Sequence, residues 1–428
     1  GWNFGLAEGG WGGLLVAVVI MGTMYLFMVL GLAELSSTIS TTGGGYAFAR
    51  RALGPWGGFL TGTAILVEYA IAPAAIANFI GAYVESLVGI DGPIVFAVFY
   101  ALFIGLHMWG VGEALKVMFA ITAVAVVALV VFVVAAAVKF DAANLTDITP
   151  TDATGASDFL PFGLIGIWAA LPYAIWFFLA VEGVPLAAEE TKNPARDMPR
   201  GIIAAMLTLL LFAAVILVVA PGAAGSETIS DSGNPLVDTL EAAYGGSTAV
   251  STFVNVVGLL GLIASFFSII FAYSRQTFAL SRAGYLPKVL SKTGSRKTPY
   301  LALIVPGIIG FILAVFNEGD LLILVAVFGA TISYVLMMLS HIVLRIREPD
   351  LERPYRTPGG VVTTGIALVL AVVAVIAGFV VEPRVLVVTA AVFAVAIAYF
   401  ALYSRHHIVK GAPEEEFAAI EDAEKGLH

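Results

Sequence analysis

The stretch Phe159–Pro194 reads FLPFGLIGIWAALPYAIWFFLAVEGVPLAAEETKNP and decides the fold of the chain. It is long and apolar enough to cross a membrane, yet Pro161, Pro172 and Pro185 each remove a backbone hydrogen-bond donor. Glu182 places a carboxyl group where a plain span would carry hydrocarbon. Charged side chains inside a span are costly, so they normally face a cavity or a binding site. A broken span with an acidic residue is how secondary transporters build a site near the middle of the membrane.

The composition places the whole chain in the same class. Of 428 residues, 60% are hydrophobic and only 12% are charged, and the mean hydropathy is +0.98. A soluble protein of this length needs more polar surface, so the sequence predicts a polytopic membrane protein. Cysteine is absent, which excludes disulfides and thiolate metal sites, and the five histidines show no metal-binding spacing. We therefore expect neither a metal nor a cofactor.

Apolar windows of about 20 residues predict eleven membrane spans and an all-α fold. They cover 13–35, 56–84, 92–110, 117–138, 159–191 (broken), 201–221, 249–274, 300–316, 320–344, 361–381 and 384–404. The loops at one side of this layout hold 19 of the 21 Lys and Arg residues, and those at the other side hold only Lys139 and Arg384. By the positive-inside rule the basic side is cytoplasmic.

This orientation also predicts the two ends of the chain. Residues 405–428 form a cytoplasmic acidic tail, and its final part, Glu414–His428, supplies much of the net charge of −9. Gly1 lies outside, where WNFGLAEGG has the character of the end of a half-helix. We expect the first half of that helix to be missing from the chain. Residues 1–404 are then one transport domain, made of this half-helix end and the eleven spans.

Two segments carry a family resemblance: TTGGGYAFARRALGPWGGF at Thr41–Phe59, a predicted cytoplasmic connector, and FLAVEGVPLAAEETKNPARDMPRG at Phe178–Gly201. Both resemble the amino acid–polyamine–organocation (APC) permeases, as does SRQTFALSRAGYLPKVL further along the chain. Within that superfamily the chain is most similar to bacterial ethanolamine permeases, through GWNFGLAEGGWGG, ILVEYAIAPAAIANFIGAYVES and EETKNPARDMPRG. The resemblance implies a LeuT-like fold of two inverted five-helix repeats plus two extra helices. Its first and sixth helices would be broken, the first just before Gly1.

Glu68 is a candidate substrate-binding residue. Counted from Trp56 it is twelve residues into its span, roughly 18 Å into a hydrocarbon core of roughly 30 Å. Apart from Arg384, the first residue of the last span, no Lys or Arg lies in any predicted span, so this carboxyl group must protonate, find hydrogen bonds or bind an external cation. An ammonium substrate suits it, and the resemblance implies that this position forms part of the substrate wall. The alternative is a protonated Glu68 that is hydrogen-bonded to backbone or to Tyr69.

Glu182 and Gly183 are candidates for coupling or gating. Gly183 is small, and Pro185 is expected to begin the second half-helix, since proline is tolerated in a first turn. The free N–H groups of a half-helix attract a carboxylate, so Glu182 either caps them or titrates during transport. In proton-coupled relatives the matching acid is implicated in coupling. Glu34, at the cytoplasmic end of its span, is interpreted as structural.

Aromatic residues precede the break, and the resemblance implies that one of them covers the substrate. Trp176 is the first choice because it can add a cation–π contact, with Phe177 and Phe178 beside it. Ordinary membrane packing is the alternative for all three. Tyr69 and Ile269 complete the candidate substrate contacts, although Tyr69 points about 100° away from Glu68 on a helix.

Ser265 and Ser268 lie one turn apart and form a candidate cation site. Sodium-coupled proteins of the implied fold use hydroxyl groups on this helix. Serine in a membrane helix is also a common helix–helix contact, so that alternative stays open.

Together these features predict a secondary transporter, not an enzyme, that imports a small ammonium compound by alternating access. Ethanolamine is the expected substrate and the proton the expected coupling ion. The bilayer is its only other expected partner, with no nucleic acid, and a bacterial plasma membrane its expected location. A neutral amino-acid or GABA-type permease or exchanger of the same fold is the nearest alternative. An ion channel is the alternative of a different class, although a channel needs a ring of like residues around a pore.

Overall fold

The computed structural model describes residues 1–409 apart from 40, 42, 110, 295–297, 318 and 382. Within these residues the chain is helical with turns and without strands, which confirms the all-α prediction. The α-helices are α1 (Phe4–Thr38), α2 (Gly44–Val88), α3 (Pro93–Trp109), α4 (Val111–Ala137), α5 (Gly163–Trp176), α6 (Pro194–Ala224), α7 (Ser226–Ile229), α8 (Pro235–Tyr244), α9 (Ala249–Arg282), α10 (Tyr300–Phe316), α11 (Gly319–Arg347), α12 (Val361–Val381), α13 (Pro383–Tyr399) and α14 (Arg405–His407). Short 3₁₀ segments occupy Ala142–Thr146, Val181–Glu190 and Lys288–Ser291, and a π-helical turn covers Phe400–Ser404.

Nine helical segments in the described chain are long and apolar enough to cross a membrane. Two further apolar helices, Pro93–Trp109 and Tyr300–Phe316, are shorter. Together they overlap the eleven predicted spans, and several extend past the predicted limits: α9, predicted over 249–274, continues to Arg282. The inverted-repeat relation between them stays a prediction, and so does the division into a transport domain and a tail. The acidic tail from residue 410 onward, with Lys410 and Lys425, lies outside the described residues, as do Arg296 and Lys297.

Two of the longest helices contain a sharp bend at a glycine. In α1 the bend is at Gly10, whose φ of 66° and ψ of 178° are not helical. The short piece before it corresponds to the segment that the sequence suggested as the end of a half-helix. In α2 the bend is at Gly54, with φ 77°. Both φ values lie in the left-handed region that glycine adopts readily. The predicted connector Thr41–Phe59 is largely helical, because α2 already begins at Gly44.

The span 159–191 is broken, as the sequence predicts, but the second half begins earlier than expected. Helix α5 ends at Trp176, and Ala180 has a left-handed φ of 71°. A 3₁₀ segment then runs from Val181 to Glu190 with Pro185 inside it. The expectation that Pro185 starts the second half-helix was wrong. The helical path is interrupted at Ala180, and Glu182 lies in the first turn of the 3₁₀ segment that follows.

Helix α2 runs through the centre of the bundle and packs against both α9 and α11. The close approach of α11 depends on Gly329, where a Cβ atom would lie 3.0 Å from the carbonyl oxygen of Ala64 and 3.1 Å from the backbone nitrogen of Glu68. Small residues at such crossings let membrane helices approach closely. Glu68 is thereby held at a backbone-to-backbone contact between two helices.

Basic residues gather at one end of the bundle, which we call the basic end. Here Glu34 is 2% exposed, accepts hydrogen bonds from Arg345 Nε at 2.6 Å and Arg345 Nη2 at 2.5 Å, and lies 3.0 Å from Arg353 Nε. It also accepts from the backbone N–H of Thr357 at 2.7 Å. His341 Nε2 lies 3.3 Å from the same carboxylate. These contacts tie α1, α11 and the following loop together, in agreement with a structural role for Glu34.

Candidate functional site

Glu68 is completely buried in the middle of α2. Neither carboxyl oxygen has a hydrogen-bond partner among the described residues, and no ion pair there includes it. The carboxyl group of Glu182 lies near enough to Glu68 to interact with it directly. Glu68 and Glu182 therefore form a buried acid pair. The alternative in which Tyr69 or backbone satisfies Glu68 finds no hydrogen bond in the structure.

Glu182 is held by a group of buried tyrosines, which we call the tyrosine cluster: Tyr25, Tyr69 and Tyr334. Tyr69 donates to Glu182 Oε1 at 3.0 Å, and Tyr334 donates to Glu182 Oε2 at 3.1 Å. The hydroxyl groups of Tyr25 and Tyr334 are hydrogen-bonded at 2.8 Å. Helices α2 and α11 thus meet the broken span at this one carboxyl group, and α1 is linked to it through Tyr25 and Tyr334.

The backbone of the break fits closely against the tyrosine cluster. The N–H of Gly183 donates to the carbonyl of Ala180 at 3.0 Å, which fixes the turn before the 3₁₀ segment. A Cβ atom at Gly183 would lie 3.0 Å from the hydroxyl oxygen of Tyr69. A side chain here would therefore press on the hydrogen bond between Tyr69 and Glu182.

The acid pair has an electrostatic consequence. Two adjacent ionised carboxylates in a dry interior are unstable, because each loses its hydration and repels the other. A shared proton or an external cation removes that repulsion. Glu182 already has two phenol donors, whereas Glu68 has none. Glu68 is therefore the member of the pair with free capacity to accept hydrogen bonds from a ligand.

The three aromatic residues before the break each pack against a different aromatic ring. Phe178 is fully buried and packs on Tyr25 of the tyrosine cluster, with ring centroids 5.3 Å apart. Phe177 stacks on Trp2 at 5.4 Å. Trp176 packs edge-on against Phe79 at 6.3 Å. Phe79 is eleven residues beyond Glu68 on α2, roughly 16 Å along the axis. Of the three, the structure brings only Phe178 close to the cluster, and the lid role of Trp176 stays a prediction.

The two candidate serines lie one turn apart on α9 but differ in exposure. Ser265 is exposed. Ser268 donates to the carbonyl of Ala264 at 2.8 Å and lies 2.9 Å from the sulfur of Met118 on α4. The contacts of Ser268 are those of a helix–helix junction, and the role of both serines as a cation site stays a prediction. Ile269, the candidate next to them, is buried in the central core.

Sequence reasoning missed Tyr25 and Tyr334. A tyrosine inside an apolar helix is a signal in itself, because a buried phenol normally seeks a hydrogen-bond partner. Neither sequence position, however, indicates which partner that is. Tyr334 lies 152 residues from Glu182, and Tyr25 lies 309 residues from Tyr334.

The sequence was also compared with known proteins. A profile of the family described as amino acid permease matches residues 4–403. The chain belongs to the amino acid permease family. A protein of Rhizobium meliloti (strain 1021), described as an uncharacterized transporter, is 30% identical over 86% of this chain and 80% of its own length.

Two relatives from Bacillus subtilis (strain 168) have named substrates. The branched-chain amino acid permease BcaP is 27% identical over 92% of this chain and 86% of its own length. The methylthioribose transporter is 27% identical over 82% of this chain and 78% of its own length. These relatives are permeases and transporters rather than enzymes, and together they differ widely in what they carry.

Proposed function

We propose that the protein is a secondary transporter that imports a small organic ammonium compound, with ethanolamine as the substrate, by alternating access. Membership of the amino acid permease family supports transport of a small molecule through the membrane. The choice of an ammonium compound depends on Glu68. This carboxyl group is fully buried and has both oxygens free of hydrogen bonds among the described residues.

An arriving ammonium group supplies what Glu68 lacks. It brings one positive charge to the acid pair and donates hydrogen bonds to a carboxylate that has none. A charge-assisted hydrogen bond in a dry site is roughly twice as strong as a neutral one. A zwitterionic amino acid would bring its own carboxylate close to Glu68 and Glu182 as well, which adds repulsion that ethanolamine avoids.

Glu182 is the proposed coupling group, and the tyrosine cluster is the proposed gate. The carboxyl group of Glu182 joins the broken span to α2 and α11 through Tyr69 and Tyr334. Relative movement of these helices must break those hydrogen bonds. Proton binding to Glu182 removes the charge that strengthens them, so proton uptake and gate opening are linked.

The proposed orientation places the basic end in the cytoplasm of a bacterial cell. It follows from the 19-to-2 division of Lys and Arg between the two sets of predicted loops. The plasma membrane is the proposed location, and the C-terminal tail is proposed to be cytoplasmic.

The test is ethanolamine uptake into proteoliposomes by wild-type protein and by Glu68→Gln. The substitution preserves side-chain volume and removes the charge, so we expect uptake to be abolished while the protein still folds. Glu85→Gln is the matched control, since Glu85 lies on the same helix and is exposed; it should transport normally. Unchanged uptake by Glu68→Gln would refute the cation site.

Transport of an amino acid is the second candidate, because the relatives include permeases named for amino acids. Competition separates the two. Unlabelled ethanolamine, choline, alanine, GABA and leucine are each tested against the uptake of labelled ethanolamine, and each is then tested as the labelled substrate. Ethanolamine should be the best competitor. Uptake of alanine or leucine without uptake of ethanolamine would favour the amino-acid function.

A further inference from the structure

Gln276 is a buried amide that the fold does not explain. It is the only glutamine in the chain and lies fully buried in α9. Neither its Nε2 nor its Oε1 atom has a hydrogen-bond partner among the described residues. An unpaired buried amide costs about as much as a lost hydrogen bond, whereas a leucine of similar size would cost nothing. The amide is therefore expected to have a partner that binds and leaves.

The register of α2 against α9 gives the depth of Gln276. Two contacts define this antiparallel pair: Gly62 faces Leu280, and Gly258 faces Tyr83. Just beyond the end of α9, Tyr285 donates to the carbonyl of Pro55, which agrees with that register. The position opposite Glu68 is then Tyr273. Gln276 is three residues further along α9, about 4.5 Å nearer the basic end.

Helical rotation gives the direction in which Gln276 points. At about 100° per residue, Gln276 is turned roughly 40° from Leu280, which faces α2. Glu68 is turned roughly 120° from Gly62, which faces α9. Because the helices are antiparallel, both rotations point to the same side of the pair. The carboxyl group of Glu182 adjoins Glu68 on this side, and its 3₁₀ segment contacts both helices.

The chemistry of this position complements Glu68. An amide offers both a donor and an acceptor, as a hydroxyl group requires. The depth difference between Glu68 and Gln276 is comparable to the length of a two-carbon amino alcohol. On the basis of the proposed function, we infer that Gln276 binds the hydroxyl group of the substrate while Glu68 binds its ammonium group. Gln276 is then the residue that selects an amino alcohol over a simple amine.

A hydroxyl oxygen can come from the substrate or from a water molecule, and a matched pair of substrates separates the two. Ethylamine has the ammonium group and the two carbons of ethanolamine but lacks the hydroxyl. For Gln276→Leu we expect the KM for ethanolamine to rise roughly tenfold, as the loss of one buried hydrogen bond implies. The KM for ethylamine should change less than about twofold, because it never used the amide.

Thr277→Val is the matched control. Thr277 is buried on the same helix and its hydroxyl group also has no hydrogen-bond partner among the described residues. Helical rotation turns it about 60° from Leu280 in the opposite sense to Gln276. Its substitution should leave both substrates unaffected. Equal losses for ethanolamine and ethylamine in Gln276→Leu would assign the amide to water or to packing and would overturn the inference, and so would the absence of any effect.

Direct binding gives an independent readout. Since Gln276 is the only glutamine, cell-free synthesis with ¹⁵N-labelled glutamine yields one side-chain amide signal. Ethanolamine should shift this signal more than ethylamine does, and equal shifts would contradict the inference. If the wild-type protein transports and binds neither compound, the proposed function fails. If it transports ethanolamine in a manner that depends on Glu68 but shows no selective effect at Gln276, only the inference fails.

Discussion

Replacement of Glu34 by glutamine should destabilise the protein far more than replacement of Glu348, although each glutamate pairs with arginine. Glu34 is 2% exposed and faces Arg345 and Arg353, whose side chains are 25% and 6% exposed. Glu348 pairs with Arg51 at 2.7 Å, but these side chains are 34% and 35% exposed. The two substitutions are chemically identical, but Glu34 is more deeply buried and has additional partners in Thr357 and His341.

The expected magnitudes follow from that difference. Removal of one partner of a buried ion pair costs about 3–5 kcal/mol, because the remaining charge stays buried without compensation. Arg345 is partly exposed and can reach water, so we expect the lower end, about 3 kcal/mol, for Glu34→Gln. An exposed pair contributes about 0–1 kcal/mol and is screened by salt, so Glu348→Gln should cost no more than that.

Equilibrium unfolding in mixed detergent micelles, followed by near-ultraviolet circular dichroism, measures both free energies. The measurement is repeated at high salt, where the small effect of Glu348→Gln should shrink and that of Glu34→Gln should persist. If the two variants lose the same stability, burial does not control the energetics at the basic end, and the reasoning fails.

Three further predictions concern the site and the packing. Glu182→Gln should flatten the pH dependence of uptake if this carboxyl group couples transport to protons, and an unchanged pH profile would make it a static cap. Tyr334→Phe removes one hydrogen bond to Glu182 and should lower kcat several-fold, measured as initial uptake at saturating substrate; unchanged kcat would remove Tyr334 from the gate. Gly12→Ala should sharply reduce the yield of folded protein in size-exclusion chromatography, because its Cβ atom would collide with the carbonyl oxygen of Phe159. Gly105→Ala, also in a helix but with open space around it, should be neutral or slightly stabilising, and equal behaviour of the two alanine variants would contradict the packing argument.

The helical architecture could be predicted from the sequence because its causes are local. Apolar windows marked the long apolar helices of the described residues, and the prolines with Glu182 marked the broken one. The detail of the break could not be predicted in the same way. Proline at position 185 indicated a helix start there, but the left-handed turn at Ala180 begins the second half four residues earlier. The tertiary contact of Gly183 with Tyr69 accompanies that turn.

The acidic residues themselves were also evident from the sequence, since a carboxyl group in an apolar segment stands out by its cost. Their environments were not. Glu68 and Glu182 are 114 positions apart, and hydropathy does not show that their carboxyl groups adjoin. The same holds for Glu34, whose arginine partners lie more than 300 positions away.

The sequence by itself therefore determined the membrane class, the apolar segments that form the long helices, the broken helix and the acidic residues within apolar segments. Only the tertiary structure decided that Glu182 is satisfied by Tyr69 and Tyr334, whereas Glu68 and Gln276 have no hydrogen-bond partner among the described residues. The physical reason is the range of the interactions. The hydrophobicity of each segment follows from its own residues. A hydrogen bond between two helices, in contrast, forms only once packing has fixed their register and rotation.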